Sequence, residues 1–238
     1  MAYLGMIFLL FAHVALAVDF GSGTAQTTVI ELYTSEGCSS CPPADKWLST
    51  LKEEPTLFKD IIPMAFHVDY WDQLGWKDPW AQAAFADRQR QLAQQRNLSQ
   101  VYTPAVLVAS NEWRTWYKGS QLPKLKSVKA GVLSAHLNGQ LLTVHYSEQG
   151  DYELNIAYLG MGLVSKVTAG ENRSRTLIHD FVVLNHLKQK GASSWKVTLP
   201  NIEDYGQQRT AISVWLSKQG TLDIEQAAAS FIELDGCL

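Results

Sequence analysis

The spacing of hydrophobic and polar positions changes along the chain, and this change predicts two kinds of structure. Up to about residue 127, short apolar runs rich in β-branched residues alternate with segments in which apolar residues recur every three or four positions. The runs are typical of buried strands, and the longer spacing is typical of helices. The predicted strands cover 28–33, 61–68, 105–109 and 113–117, and the predicted helices cover 44–54, 79–97 and 122–128. This alternation favours a central sheet covered by helices.

From about Ala130 onward, the pattern consists of short strands separated by turn residues. Asn138-Gly139 lies between two of these strands and predicts a two-residue hairpin turn, because both residue types tolerate positive φ. Repeated short strands with few helical stretches favour a β-sandwich. We therefore expect a boundary near Ser127. The predicted strands of this part cover 132–137, 141–146, 152–159, 165–169, 181–188, 195–199, 210–216 and 230–234.

The N-terminus carries an apolar run that predicts export. Residues 1–17 end in Ala15-Leu16-Ala17, and small residues at this spacing suit a signal peptidase. We predict a signal peptide over 1–17, a periplasmic or secreted location, and no membrane contact after cleavage. Because the run contains no Lys or Arg, an uncleaved anchor or a buried N-terminal helix stays open as an alternative.

The overall charge changes the picture little. The 238 residues include 20 basic and 23 acidic side chains, which gives a formal net charge of −3. No basic stripe is present that could replace the counterions of a phosphate backbone, and we therefore expect no nucleic-acid partner.

The cysteines carry the candidate chemistry. Cys38 and Cys41 are separated by two residues, so a bond between them would close too short a loop to stabilise the fold appreciably. They lie between a predicted strand and a predicted helix, where unpaired N–H groups and the helix dipole favour a thiolate. We predict that Cys38 is the nucleophile and that Cys41, one turn further along and more buried, resolves the mixed disulfide. Glu36 would oppose this if its carboxylate pointed toward the sulfur. The state of Cys237 stays open.

Three further segments are candidates for parts of the same site. Thr103-Pro104 opens a predicted strand, and we expect a cis peptide bond that faces substrate beside the cysteines. Asp69 and His67 follow or end a predicted strand and are candidates for proton transfer to Cys41. A buried partner explains His67 better, and a loop-capping role explains Asp69 equally well. Arg173, Arg175 and His179 are candidates for an anion or partner site, although a turn with surface charges is the plainer explanation.

We predict an α/β thioredoxin-like domain, because a strand, the cysteine pair and a helix follow one another and a proline opens a later strand. We place it over 27–127 and expect an all-β, sandwich-like domain over 128–238. No bound cofactor is needed, because the sulfurs themselves carry the electrons. No metal site is predicted, since there is no second C-x-x-C pair to complete a zinc site.

Four blocks of sequence resemble a known family. They are ELYTSEGCSSCPPAD, AFHVDYWDQLGWKDPW, VYTPAVLV and, later in the chain, GENRSRTLIHDFVV. The sequence resembles the secreted, mainly proteobacterial family of unknown function that is numbered 1223, and the similarity covers nearly all of the mature chain. The resemblance implies a thioredoxin-like N-terminal half. Since the family has no assigned activity, the resemblance bears on function by analogy alone.

The leading hypothesis is an exported thiol–disulfide oxidoreductase that acts on protein or small-molecule thiols and disulfides. A copper-binding or copper-delivery module is the first alternative, because Cu(I) prefers thiolate ligands. A non-catalytic interaction protein with an inert disulfide is the second. The sequence leaves the redox direction, the client, the role of the second half and the oligomeric state open.

Overall fold

The computed structural model describes residues 17–118, 122–123 and 128–233. The described part contains two α-helices, α1 (Pro42–Thr50) and α2 (Ala83–Gln94), and short 3-10 helices at Leu51–Glu53, Asp69–Leu74 and Trp116–Lys118. Its strands are β1 (Val18–Gly21), β2 (Thr28–Thr34), β3 (Ile61–His67), β4 (Ala105–Val108), β5 (Asn111–Glu112), β6 (Leu133–Asn138), β7 (Leu141–Tyr146), β8 (Tyr152–Met161), β9 (Leu163–Lys166), β10 (Thr176–His179), β11 (Val182–Gly191), β12 (Ser194–Thr198), β13 (Arg209–Lys218) and β14 (Ile224–Ile232).

One large mixed sheet organises the molecule. Its eight strands follow the order β14-β13-β8-β11-β3-β2-β4-β5. The pairs β2–β3 and β3–β11 are parallel, and the other pairs are antiparallel. A second, four-stranded sheet has the order β1-β6-β7-β12, and β9 and β10 form a separate hairpin.

This sheet shows that the fold prediction was wrong. We expected an α/β thioredoxin-like domain followed by an all-β domain, but strands from both halves of the chain belong to one sheet, in which four strands of the second half continue directly into four strands of the first. Of the described residues, 43% are in strands and 16% in helices. The parallel contact between Ala65 of β3 and Val182 of β11 joins the two halves. The change of pattern near residue 130 marks a loss of helices, which does not determine which strands pair.

The two helices cover opposite faces of one end of the large sheet. Side chains alternate between faces along a strand, so Val29 and Tyr33 of β2 lie on one face and Ile30 and Leu32 on the other. Val29 and Tyr33 share a buried cluster with residues of α2 such as Phe85. Ile30 and Leu32 share another cluster with residues of α1. The four-stranded sheet packs on the other end, where its apolar side chains join those of β8 and β13.

Individual elements compare with the predictions in different ways. The predicted hairpin is present, but its two turn residues are Gly139 and Gln140, one position later than expected, because Asn138 ends β6 and pairs with Leu141. Gly139 has the positive φ that the turn needs. The strand predicted over 113–117 is wrong, because Trp113 and Trp116 instead pack their rings against Trp47 of α1. Three predictions lie wholly or mostly outside the described residues: the helix over 122–128, the boundary at Ser127, and the signal peptide over 1–17. In the described ranges, no helix combines the length and apolar character needed to cross a membrane.

A partly buried histidine in the large sheet makes stability depend on pH. His186 stacks on Trp215 with ring centroids 5.1 Å apart, and its Nε2 hydrogen-bonds to Asn155 Oδ1 at 2.9 Å. Burial and the nearby Arg88 charge lower the pKa of His186 to about 3. In the unfolded chain its pKa is about 6.5, so only the unfolded state gains this proton as the pH falls below that value.

We therefore expect His186 to contribute a loss of stability of up to about 1.4 kcal/mol per pH unit as the pH falls from roughly 6.5 toward the folded pKa. Urea unfolding between pH 7 and pH 5 measures this slope. A His186→Gln variant should lose part of the slope, whereas His145→Gln, at an exposed position, should keep it. Equal slopes for His186→Gln and the unmodified protein would contradict this explanation.

Candidate functional site

The cysteine pair lies in the connection from β2 to α1. Two turns follow the end of β2 at Thr34. In the first turn Cys38 N donates to Ser35 O at 3.2 Å, and in the second Cys41 N donates to Cys38 O at 3.2 Å. Helix α1 begins at Pro42, earlier than predicted, and Cys41 is its N-cap residue. The prolines suit this first turn, because its N–H groups would have no partner within the helix.

Both cysteines are free thiols with almost no solvent exposure. Cys38 is 1% exposed and Cys41 is 0% exposed. The clear difference in exposure that we expected between them is therefore not present. Ser39 and Ser40, which separate them, are exposed and mark the side from which solvent approaches.

The two thiols nevertheless differ strongly in acidity. A hydrogen bond from Cys41 lowers the pKa of Cys38 to about 6 against the opposing effect of burial, and the Ser40 and Thr103 side chains and the Ser40 backbone support the shift. The Cys38 Sγ lies 3.2 Å from Ser40 Oγ. Burial and the adjacent Cys38 raise the pKa of Cys41 well above its usual value. Cys38 is therefore the thiolate at neutral pH, and Cys41 keeps its proton.

The predicted Thr103-Pro104 segment lies at the cysteines. Its peptide bond is cis, as expected. The Thr103 hydroxyl interacts with both sulfurs and lowers both thiol pKa values. The same hydroxyl accepts a hydrogen bond from Trp71 Nε1 at 2.8 Å. Trp71 in turn packs so closely on Gly37 that a Cβ atom at residue 37 would be 2.8 Å from the Trp71 Cβ. The turn before Cys38 therefore requires glycine.

Glu36 points into the protein, where three donors occupy its carboxylate. Trp76 Nε1 donates to Oε2 at 2.7 Å and Ser165 Oγ donates to the same oxygen at 3.0 Å. His179 Nε2 lies 3.0 Å from Oε1. The carboxylate that precedes Cys38 by two residues is therefore engaged by groups from other elements, and the pKa of Cys38 is lowered by its hydrogen bonds to Cys41, Ser40 and Thr103.

A second buried pair places His67. Its Nδ1 lies 2.7 Å from Asp78 Oδ2, and both side chains are fully buried. Burial works against charge on both groups, but their mutual attraction and hydrogen bond outweigh it, so the pKa of His67 is raised and that of Asp78 is lowered. Asp78 also accepts a hydrogen bond from Glu36 N at 2.8 Å. His67 thus has a buried partner, and neither it nor Asp69, which begins a 3-10 helix, hydrogen-bonds to a sulfur in the described structure.

Asp45 is the acidic side chain that the structure brings to Cys41. It is 6% exposed, and its charge contributes to the raised pKa of Cys41. Burial raises the pKa of Asp45 itself, although the charge of His179 opposes this. Asp45 lines a cavity of about 340 Å³ between α1 and β10, together with Lys46, Ser49 and His179. Position 45 follows Cys41 by four residues in a helical segment, which is the sequence signal that could have identified it.

Two residues from the second half of the chain contact the cysteine turn. Asn172, fully buried, donates from Nδ2 to Glu36 O at 2.7 Å and to Cys38 O at 2.9 Å. Glu171 Oε2 accepts a hydrogen bond from Ser39 N at 2.9 Å. Sequence reasoning assigned no role to either residue. Both lie within the fourth block that carries the family resemblance, which was the available signal.

Comparisons with known proteins support the fold and the family. The chain is similar to protein AGR_C_4864 from Agrobacterium tumefaciens, with 22% identity, a TM-score of 0.59, and coverage of 91% of this chain and 98% of that chain. It is also similar to HBP35 of Porphyromonas gingivalis, with 12% identity, a TM-score of 0.51, and coverage of 89% of this chain and 76% of that chain. At these identities, the likeness shows the fold alone.

A search of curated proteins finds no match. The family described as "Protein of unknown function (DUF1223)" matches residues 29–217, and the chain therefore belongs to this family.

Proposed function

We propose that the protein is an exported thiol–disulfide oxidoreductase in which Cys38 attacks and Cys41 resolves. The proposal depends on one observation: the pKa values of two adjacent thiols are shifted in opposite directions. The pKa of Cys38 is lowered to about 6, and the pKa of Cys41 is raised. This order suits a two-step exchange, because one sulfur is ready as a thiolate while the other holds its proton until it is needed.

In the first step, the Cys38 thiolate attacks one sulfur of a client disulfide. A bond forms between Cys38 and that sulfur, and the client S–S bond breaks, so the second client sulfur leaves as a thiolate and takes a proton from solvent. In the second step, Cys41 loses its proton and attacks the Cys38 sulfur, which releases the first client sulfur as a thiol. The client gains two electrons and the protein becomes a disulfide. The same steps in reverse oxidise a client dithiol, and the reduction potential sets the direction.

Asp45 replaces Asp69 and His67 as our candidate proton acceptor for Cys41. A carboxylate whose pKa is raised by burial is a better base than an ordinary one, and Asp45 lies close enough to affect the Cys41 thiol. Its Oδ1 has no hydrogen-bond partner among the described residues and is therefore available to accept a proton. The cavity beside α1 offers this carboxylate a route to water.

Client binding follows from the surroundings of the sulfurs. Because Cys38 is only 1% exposed, a client sulfur reaches it after a local movement, and the exposed Ser39-Ser40 turn is the place for it. The half-buried Thr103-Pro104 segment lies alongside and would hold an extended client segment or a small disulfide. Export through a signal peptide over 1–17 belongs to the same proposal, since disulfide exchange is needed in oxidising compartments.

The pH dependence of the reaction tests the proposal. The rate at which the reduced protein reacts with a small aromatic disulfide should rise with an apparent pKa of about 6 and level off above it, because the rate follows the thiolate fraction of Cys38. Stopped-flow absorbance of the released thiol measures this rate. A profile that keeps rising to about pH 8.5, the value of an ordinary thiol, would contradict the proposal.

Nothing in the described residues favours a second function. The copper alternative would gain support from a third ligand beside the cysteines, but no group of three or more His, Cys, Asp or Glu side chains in the described ranges is arranged to hold a metal ion. Met64, whose thioether would suit Cu(I), lies in the core beneath α2.

A further inference from the structure

The loop between β9 and β10 holds one peptide group of the cysteine turn at both of its ends. Cys38 O and Ser39 N belong to the same planar peptide group. Asn172 donates to that oxygen at 2.9 Å, and Glu171, the preceding residue, accepts from that N–H at 2.9 Å. Two neighbouring side chains therefore fix the orientation of a single peptide plane that lies 132 or more residues away in sequence.

The Asn172 amide is itself held in one orientation. Its Nδ2 also donates to Glu36 O at 2.7 Å, and its Oδ1 accepts from Arg175 Nη1 at 3.0 Å. The loop is closed by backbone hydrogen bonds, including one from Arg175 N to Asn172 O at 3.1 Å. A rotated amide would place its oxygen against two carbonyl oxygens, so the observed orientation is the one that satisfies these groups.

The peptide plane determines what the Cys38 sulfur meets. Ser40, which follows this peptide group, interacts with the Cys38 sulfur in two ways. Its hydroxyl oxygen lies 3.2 Å from Cys38 Sγ, and its backbone N–H also donates to the sulfur. If the Cys38–Ser39 peptide turned, the Ser40 donors would turn with it and leave the sulfur.

We propose, on the basis of the proposed function, that Asn172 is a positioning residue for Cys38, which together with Glu171 holds the Cys38–Ser39 peptide so that the Ser40 donors face the sulfur. The second half of the chain thereby contributes to the reactivity of a cysteine in the first half. Asn172 does not touch the sulfur, and its effect passes through the backbone.

The test is the pH profile of Cys38 alkylation by iodoacetamide, followed at this residue by mass spectrometry of peptides so that Cys41 and Cys237 do not interfere. Asn172→Ala and Asn172→Asp should raise the apparent pKa of Cys38 by one unit or more. A rise of one unit from about 6 lowers the thiolate fraction at pH 6 from about half to about a tenth, so the rate there should fall about fivefold.

Asn155→Ala is the matched control, because Asn155 is also buried but hydrogen-bonds to His186 and to Glu153 O rather than to the cysteine turn. An unchanged profile in both Asn172 variants, or an equal shift in Asn155→Ala, would overturn the inference. If the Asn172 variants do not fold, Arg175→Ala decides the question: it removes only the group that orients the amide, and should shift the profile in the same direction by less. No shift in that variant would overturn the inference as well.

The outcome is separable from the proposed function. A wild-type protein that exchanges with no disulfide would contradict the oxidoreductase, yet the alkylation profile of Cys38 would still report on the role of Asn172. A wild-type protein that exchanges normally, with an Asn172→Ala profile like its own, would contradict the positioning role alone.

Discussion

Replacing Cys38 with serine is expected to reduce dithiol–disulfide exchange to the rate of a protein-free control. A serine hydroxyl does not ionise near neutral pH and cannot form the mixed disulfide, so the first step has no nucleophile. The neighbouring Cys41 does not substitute for it, because it is fully buried and its pKa is raised. Reduction of a peptide disulfide, followed by chromatography of the two peptide products, measures the loss.

The Cys41→Ser variant should give the complementary result. Cys38 still attacks, but no second thiol releases the client, so a covalent complex should accumulate that disappears when excess dithiothreitol is added. Mass spectrometry of the intact protein detects it. Cys237→Ser is the matched control, since it replaces the cysteine outside the proposed pair and should leave the exchange rate unchanged. Full exchange by Cys38→Ser, or no trapped complex with Cys41→Ser, would refute the assignment of the two sulfurs.

The second large effect concerns stability and centres on Glu31. This carboxylate of β2 is 1% exposed and accepts hydrogen bonds from Arg88 Nη2 at 2.9 Å and Nε at 3.2 Å and from the Tyr33 hydroxyl at 2.9 Å. Arg88 belongs to α2 and lies over the rings of Phe66 and Trp215. The pair therefore connects helix and sheet inside the apolar cluster that contains Phe66 and Trp215.

Glu31→Gln should lower the free energy of unfolding by about 3–5 kcal/mol, because it leaves a buried guanidinium without its counter-charge. Urea unfolding followed by tryptophan fluorescence measures the change. The control is Asp87→Asn, which breaks the Arg90–Asp87 pair on the outer face of the same helix. That pair is 49% and 65% exposed, so its loss should cost less than about 1 kcal/mol. Similar losses in the two variants would show that burial does not set the strength of the Glu31 pair.

Local structure could be predicted from the sequence where local pattern determines it. The strands β2 and β3 and the hairpin that follows Asn138 depend on neighbouring residues, and their positions agree with the prediction to within one residue. The pairing of strands depends on contacts between distant segments, which periodicity does not encode. The start of β11 carries apolar residues that suit a sandwich strand as well as a parallel one, so its place beside β3 was not foreseeable.

The candidate site, too, could be predicted only in part from the sequence. The spacing of Cys38 and Cys41 and the X-Pro pair at Thr103-Pro104 were visible in the sequence, and the structure brings these residues together. Asn172 and Asp45 were not recognised, because an amide in a turn and a carboxylate in a helix are ordinary surface residues unless the fold buries them. Their roles arise from burial and from partners contributed by other elements.

The position of β11 between β3 and β8 has a consequence for the order in which the chain can mature. A polypeptide is made from its N-terminus, so the cysteines emerge long before Asn172 and β11 do. Until Val182 and the residues after it are available, the fully buried strand β3 has one side without a partner, and such an open strand is prone to associate with other chains. The reactive turn would therefore acquire its final geometry late, when most of the protein has been synthesised.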